Sequence, residues 1–384
     1  MRWYYLIPLI GYWLAGCRTA EVISPTPTQP VAPPVTTPTP RSVTEPVVYI
    51  GSYDGNLYAL DTTTGQPRWT FRADTSIQSS PTVAYGLLYT STLGGRLYAI
   101  DAATGTVRWQ ARTQGSMQSS PVVVAGRLFI GSQDTRLYAL DATTGAFLWS
   151  YKADYGFYGS PVVAGNMVYI GGLDNTVYGF EAATGLLRWK FATNAYILSS
   201  PTVAGGILFV GSQDGNLYAL GAATGQLIWT ANLKQPVDAS PVVANNLVYV
   251  GSGDGGLYAL EISTGATRWS FVTKKPFYGS PVVSSDVVYV GSRDHRLYAL
   301  DAASGQVRWS FQTDFDIYGT PLVTTGSVYI GSADFRLYAL NRRSGTLRWQ
   351  YRTGGVLLSS PMIPQRQAIV GSYPTVSGGS KNDL

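Results

Sequence analysis

A unit of 40 residues occurs eight times along this chain, and this repeat limits the possible folds more than any other feature of the sequence. Each copy contains one proline and one tryptophan at fixed places, and both series keep the 40-residue spacing without an insertion. The tryptophans are Trp69, Trp109, Trp149, Trp189, Trp229, Trp269, Trp309 and Trp349. Such a period is typical of one supersecondary unit stacked on itself, in which neighbouring copies bury each other's apolar faces.

Each copy after the first contains four short apolar runs separated by turn residues. In the copy at 240–273, the first two runs are joined by Asn245-Asn246, a dipeptide that tolerates the positive φ of a tight hairpin. The other runs follow turns rich in Gly, Asp, Ser and Thr, and nothing between 47 and 372 has a helical period. The sequence therefore predicts an all-β fold, an eight-bladed β-propeller of four-stranded antiparallel blades.

The first copy, 47–73, has only three strands, and its missing inner strand is expected from Ser359–Ile363 near the other end of the chain. Two segments, Val47–Ser52 and Gln367–Ser372, both resemble the second strand of a unit. The sequence leaves open which of them closes the first blade. We assign the propeller to 47–372 and predict a disordered tail over 373–384.

The first 16 residues have the pattern of a secretory signal peptide: a positive start, a short apolar run and small residues at the exit. The run is too short to span a bilayer. Leu14-Ala15-Gly16-Cys17 resembles the lipobox of bacterial lipoproteins, which implies cleavage before Cys17 and a lipid on that residue. Arg18 follows instead of aspartate, which favours the outer membrane, facing the periplasm, in a cell with two membranes.

Residues 17–46 contain the lipidated cysteine and a Pro/Thr-rich linker. The prolines fix φ and remove amide donors, so we predict a disordered stalk of polyproline II character without regular secondary structure. Because Cys17 is the only cysteine, the exported chain has no disulfide within itself.

The run from Ala59 to Trp69 matches the AxDxxTGxxxW pattern of pyrroloquinoline-quinone-like propeller repeats. Its glycine recurs in every copy, as a turn residue that needs positive φ would. These glycines are Gly65, Gly105, Gly145, Gly185, Gly225, Gly265, Gly305 and Gly345. The chain resembles this family over about 47–372, and the resemblance implies that the eight tryptophans dock blade against blade.

Several kinds of chemistry find no support in the sequence. Charged residues make up only 13%, and the 27 Lys plus Arg form no basic run, so nucleic acid is not an expected partner. The single histidine, His295, lies in a turn and cannot build a usual zinc site or a hydrolase triad. Enzymes of the resembled family use a calcium-bound quinone, a catalytic aspartate and commonly a vicinal cysteine pair. No cysteine follows Cys17, and turn chemistry explains the recurring aspartates, so we predict no catalytic residues, cofactor or metal.

The connections that lead into each inner strand vary between copies, whereas the Thr-Gly turns do not. We expect the variable connections to share one face with the second-to-third-strand turns, and to carry a partner-binding surface of aromatic and charged residues. The candidate aromatic residues are Tyr155, Phe157, Tyr158, Tyr196, Phe277, Tyr278, Phe315 and Tyr318. The candidate arginines, which form an arc, are Arg96, Arg136, Arg296 and Arg336. The alternative is that the aromatics only plug the channel and cover the ends of the blades.

A lipid-anchored propeller without catalytic residues resembles the propeller lipoproteins of the outer-membrane protein assembly machinery. The resemblance implies a non-catalytic scaffold, a monomeric propeller held at the membrane by its N-terminal lipid, that docks envelope proteins. The alternative is a quinone-dependent dehydrogenase or a propeller that binds a small ligand at the channel mouth.

Overall fold

The computed structural model describes residues 47–364, and these fold into eight antiparallel sheets built from 31 strands. Blade by blade, the strands are β1 (Val47–Gly51), β2 (Asn56–Asp61), β3 (Pro67–Arg72); β4 (Thr82–Ala84), β5 (Leu87–Ser91), β6 (Arg96–Asp101), β7 (Val107–Arg112); β8 (Val122–Val124), β9 (Arg127–Gly131), β10 (Arg136–Asp141), β11 (Phe147–Lys152); β12 (Val162–Ala164), β13 (Met167–Gly171), β14 (Thr176–Glu181), β15 (Leu187–Ala192); β16 (Thr202–Ala204), β17 (Ile207–Gly211), β18 (Asn216–Gly221), β19 (Leu227–Asn232); β20 (Val242–Ala244), β21 (Leu247–Gly251), β22 (Gly256–Glu261), β23 (Thr267–Val272); β24 (Val282–Ser284), β25 (Val287–Gly291), β26 (Arg296–Asp301), β27 (Val307–Gln312); and β28 (Leu322–Val323), β29 (Ser327–Gly331), β30 (Arg336–Asn341), β31 (Leu347–Arg352).

Each blade is a meander in which consecutive strands pair, from a short inner strand to an exposed outer one. In the fifth blade, the pairing of β18 with β19 shifts register between Ala219 and Leu220, as at a β-bulge. The same shift recurs in the other blades. The predicted all-β, eight-bladed architecture is confirmed. Within 47–364 there is no helix that is long and apolar enough to cross a membrane.

The ring closes where the two ends of the described chain meet. Tyr49 in β1 pairs with Met362, and each backbone N–H donates to the other residue's carbonyl, at 2.8 and 2.9 Å. Ser359 adds a side-chain link, because its Oγ donates to the carbonyl of Gly51 at 2.7 Å and accepts the Gly51 N–H at 3.1 Å. The segment Ser359–Ile363 thus completes the first blade as predicted, with Val47–Gly51 as its second strand. The other candidate, Gln367–Ser372, lies outside the described residues, as do 1–46, Cys17 and the tail.

The core lies between the blades, and the tryptophans fasten each blade to the next. Each indole Nε1 donates to a backbone carbonyl of the following blade, at 2.9–3.2 Å. Trp229, for example, donates to the carbonyl of Ile262 at 3.0 Å. Its ring covers Gly265, whose φ is +72° and where an added Cβ would lie 2.6 Å from the indole. The glycine therefore recurs for two reasons: the turn needs positive φ, and the indole leaves no room for a side chain.

The outer strands carry arginines, and charge on an exposed strand edge discourages pairing between molecules. Five of these arginines also pair with the acid of the preceding turn. The pairs are Arg68 with Asp61 (2.6 Å), Arg108 with Asp101 (2.8 Å), Arg188 with Glu181 (2.9 Å), Arg268 with Glu261 (3.2 Å) and Arg308 with Asp301 (2.6 Å). In the fifth blade both members are replaced, by Gly221 and Ile228, and β19 contains no charged residue. Its outer edge therefore has no ion pair, and Leu227 and Ile228 are half exposed there.

Candidate functional site

Small hydroxyl residues of the inner segments surround the propeller axis and line a channel of about 180 Å³. Their hydroxyls also join the blades, because the backbone N–H of one residue donates to the Oγ of the corresponding residue 40 positions later. Ser80 donates in this way to Ser120 at 2.9 Å, and Ser360 donates to Ser80 at 2.9 Å, across the closure. Sequence reasoning missed these hydrogen bonds. The signal was present, since all eight positions carry Ser or Thr.

Two positions before each of these hydroxyl residues, a half-buried side chain lies at one end of the channel. We call these eight residues the mouth ring: Gln78, Gln118, Tyr158, Leu198, Asp238, Tyr278, Tyr318 and Leu358. The ring is narrow, because Gln78 Nε2 donates to the hydroxyl of Tyr158 at 2.9 Å although the two residues belong to connections two blades apart. The channel mouth is therefore partly closed by its own side chains.

The predicted aromatic residues fall into three groups in the structure. Tyr155, Tyr196 and Phe315 are exposed, at 56%, 42% and 59% of their surface. Tyr158, Tyr278 and Tyr318 are half-buried members of the mouth ring. Phe157 and Phe277 form the third group.

Phe157 and Phe277 are fully buried, so the prediction that they contribute to a binding face is wrong. Phe157 packs over Gly131, the last residue of β9, and Phe277 packs over Gly251, the last residue of β21. The other copies carry Ile, Met, Val or Leu at this position, which also are fully buried. An apolar residue at the same position of every copy indicates a core position. This pattern distinguishes Phe157 and Phe277 from the variable residues beside them.

The four predicted arginines lie around the outside of the same end of the propeller, each at the start of a blade's third strand. Two are paired with acids: Arg96 with Asp74 at 3.1 Å and Arg336 with Asp314 at 2.7 Å. The other two donate to neutral hydroxyls, Arg136 to Ser150 at 3.0 Å and Arg296 to Ser310 at 3.2 Å. The structure therefore does not bring them together into one site, and half of the arc is neutralised.

The recurring turn aspartates have a structural role that the sequence reasoning captured only in part. Asp54 Oδ1 accepts the backbone N–H of Asn56 at 2.8 Å, as turn chemistry predicts, and its Oδ2 accepts the hydroxyl of Tyr58 at 2.6 Å. Burial raises the pKa of Tyr58 to about 12, and the hydrogen bond to Asp54 adds to this. The same Asp-Tyr pair, four residues apart, recurs in most blades. That spacing is visible in the sequence, and it explains these carboxylates without catalysis.

Sequence reasoning missed Arg293, a cation of the mouth that is held by two aromatic rings and a carboxylate. Its guanidinium lies over the rings of Tyr278 and Tyr318, with its central carbon 5.4 and 5.6 Å from their centroids. The two rings are nearly parallel, with 6.2 Å between centroids and an angle of 11°. Arg293 Nε donates to Asp316 Oδ2 at 2.7 Å, and Tyr318 donates to the same carboxylate at 3.0 Å.

His295 belongs to the same turn as Arg293 and completes this cluster. Its Nε2 lies 3.1 Å from Asp316 Oδ1, and its ring is 6.1 Å from that of the exposed Phe315. The histidine is therefore the surface turn residue that the sequence predicts, and its contact with Asp316 helps to hold that carboxylate in place.

Asp238 is the only carboxylate in the mouth ring. Gln213 Nε2 donates to it, and burial raises its pKa to about 6. Burial has the larger effect on this pKa, because water stabilises the charged carboxylate and little water reaches it. The hydrogen bond from Gln213 lowers the pKa and offsets only part of that effect.

We expect Asp238→Asn to flatten the dependence of stability on pH between about 4 and 6. The folded protein holds a proton on Asp238 up to its raised pKa of about 6, whereas the unfolded chain releases it near 3.8. Stability from this group is therefore complete below pH 4 and is lost as pH rises to 6, by up to about 3 kcal/mol. Urea unfolding of both proteins from pH 3.5 to 7 measures this difference. Parallel pH profiles would show that the carboxyl is not buried as described.

The mouth does not fit a calcium-bound quinone. Within 47–364, no three His, Cys, Asp or Glu side chains lie together in a way that could hold a metal ion. Calcium takes six to eight oxygen ligands, including carboxylates, and the mouth ring supplies only Asp238. The donor set of this channel therefore gives no place for that ion.

The sequence matches the family described as outer membrane protein assembly factor BamB, over residues 27–126, 114–201, 188–277 and 264–379. No protein among the curated ones matches the chain.

Solved structures share the fold at low sequence identity. BamB from Moraxella catarrhalis is 21% identical, with a TM-score of 0.64, and the match covers 73% of this chain and 90% of that one. The computationally designed Ika8 protein is 18% identical, with a TM-score of 0.68 and coverage of 80% and 93%. The quinohemoprotein alcohol dehydrogenase ADHIIG from Pseudomonas putida HK5 is 17% identical, with a TM-score of 0.65 and coverage of 82% and 69%. At these identities the likeness concerns the fold alone.

Proposed function

The chain belongs to the BamB family, and we propose that it is a non-catalytic scaffold that docks envelope proteins through the face around the channel mouth. The family description, outer membrane protein assembly factor, supports assembly of outer-membrane proteins as the process that it serves. One observation carries the proposal: variable connections place exposed Tyr155, Tyr196 and Phe315 at the end of the propeller that also holds the stacked Arg293. Aromatic residues and arginine are the types enriched at the centres of protein interfaces.

The proposal includes the lipid anchor. Cys17, preceded by Leu-Ala-Gly, would carry the lipid, and the Pro/Thr-rich stalk would hold the propeller away from an outer membrane, facing the periplasm. Membrane fractionation tests this part separately: Cys17→Ser should move the protein from the membrane to the soluble fraction. A variant that stays in the membrane fraction would contradict the anchor but leave the docking face untouched.

We expect the triple variant Tyr155→Ala, Tyr196→Ala, Phe315→Ala to lose its partner. The three side chains are exposed, so truncating them removes contact area at the face with little effect on packing. The measurement is a pull-down of partners cross-linked to the anchored protein in cells, compared with wild type by mass spectrometry. The matched control truncates three exposed apolar residues of the outer strands or turns, Leu186, Val307 and Leu347. Partners retained by the face variant and lost by the control would place the docking surface on the outer edges instead.

A quinone-dependent dehydrogenase, or a propeller that binds a small ligand at the mouth, is the competing candidate. Quinohemoprotein alcohol dehydrogenases share the fold, at 16% and 17% identity. The contact between Gln78 and Tyr158, which narrows the mouth, and the single carboxylate Asp238 favour the scaffold. Incubation with pyrroloquinoline quinone and calcium discriminates between them, because saturable binding with reduction of a dye would replace the scaffold by the enzyme.

A further inference from the structure

We propose that Arg293 is a carboxylate-binding site at the channel mouth, which receives an aspartate or glutamate side chain from an acidic segment of a partner protein. The inference rests on the proposed docking function and gives the chemistry of the partner. It comes from three observations: how Arg293 is held, which of its donors are unused, and the charge around it.

Arg293 is held in one orientation before any partner binds. The guanidinium contacts the rings of both Tyr278 and Tyr318, and the Nε bond to Asp316 fixes its rotation. An arginine that is already ordered loses little side-chain entropy when it forms an interface. Stacking on aromatic rings is also a preference of the planar guanidinium that lysine does not share.

The two Nη groups of Arg293 have no hydrogen-bond partner among the residues that the structure describes, since its only hydrogen bond there is made by Nε. Asp316 is in turn engaged by Arg293, His295 and Tyr318. The side chain of Arg293 is 35% exposed, so solvent, or a partner, can reach the free groups. Two parallel N–H donors in one plane match the two oxygens of a carboxylate.

The surroundings favour an acidic segment. Asp316 balances the charge of Arg293, and Asp314 on the same connection is paired with Arg336. Exposed Lys274 and Lys275, on the connection that also carries Tyr278, form no ion pair with any residue that the structure describes. Phe315, 59% exposed, adds an apolar surface beside His295. A short segment with several carboxylates and one apolar side chain is complementary to this combination.

Construction of the blades does not explain Arg293. The corresponding residues of the other copies are uncharged: Tyr53, Leu93, Gln133, Leu173, Gln213, Gly253 and Ala333. Tyrosines occur in consecutive connections of the mouth ring only at Tyr278 and Tyr318, which are the two that contact the guanidinium of Arg293. The site therefore exists once in the ring, at a place where the repeat does not dictate the residues.

The test is direct binding of a fluorescent peptide that contains three glutamates and one phenylalanine, with both ends blocked, to the purified full-length protein at low salt. We expect saturable binding, and a loss of about tenfold or more with Arg293→Gln, because a charge-assisted hydrogen-bond pair is removed. Arg293→Lys should weaken binding as well, since it keeps the charge but loses the stacked planar fork. Arg352→Gln is the matched control, an exposed arginine on the neighbouring blade, and it should change binding less than twofold.

Three results would overturn the inference. They are equal losses with Arg352→Gln and Arg293→Gln, equal binding of a peptide with glutamines in place of glutamates, or no peptide binding together with Arg293-dependent binding to phosphatidylglycerol vesicles. The last result would assign the site to an anionic lipid instead of a protein. Equal melting temperatures of wild type and variants establish that the fold is intact. The double variant Tyr155→Ala, Tyr196→Ala keeps Phe315, so it should bind the peptide as the wild type does. If this variant keeps its partners while peptide binding still depends on Arg293, the proposed docking face fails and this site does not.

Discussion

Replacing Trp229 with alanine is expected to lower the free energy of unfolding by about 3 to 5 kcal/mol. The indole is 9% exposed, packs in the core between the fifth and sixth blades with Phe209 and Leu260, and donates to the carbonyl of Ile262 at 3.0 Å. Truncation leaves a cavity between two blades and an unsatisfied carbonyl on the sixth, and both effects destabilise. Urea unfolding followed by tryptophan fluorescence and circular dichroism measures the change.

Ile228→Ala is the control for this experiment, because Ile228 precedes Trp229 in β19 but is 48% exposed. Its truncation should change stability by less than about 0.5 kcal/mol. If Trp229→Ala and the wild type unfold at the same urea concentration, the indole does not dock one blade on the next. If both variants lose stability equally, the strand as a whole and not the indole contact is responsible.

The repeat allowed the fold to be predicted because each copy meets the same physical demands. A residue such as Gly265, which needs positive φ and lies under an indole, has the same environment eight times, so the same residue recurs. The closing segment could be predicted for a related reason: a copy with three strands needs a fourth, and Ser359–Ile363 supplies the sequence of an inner strand.

The candidate site was harder to predict because its residues are the ones that do not repeat. Phe157 and Phe277 were assigned to the surface as aromatics in variable connections, although the apolar residue at their position in every copy indicates the core. Arg293 was missed because its setting needs Tyr278 and Tyr318, which come from connections 40 residues apart and meet only in the closed ring. Spacing along the chain does not give the distance between such residues. Variable positions therefore need comparison across copies, position by position, before they are assigned to a surface.

Ending the chain at residue 358 is expected to open the ring, with a loss of at least about 4 kcal/mol in the free energy of unfolding. The truncation removes both backbone hydrogen bonds between Tyr49 and Met362, the Ser359 links to Gly51, and Ile363, which is 1% exposed in the core.

A chain ending at residue 364 is the control, because it keeps every one of these contacts and removes only residues beyond the described ones. Melting temperatures and size-exclusion profiles compare the two proteins. The shorter chain also leaves the backbone groups of β1 without a partner on one side, and an unpaired strand edge promotes association between molecules. We therefore expect the 358-residue chain to melt earlier and to elute as aggregates, while the 364-residue chain behaves as the full protein does. Equal melting temperatures would mean that the first blade stays in place without residues 359–364, and that packing between blades alone closes the ring.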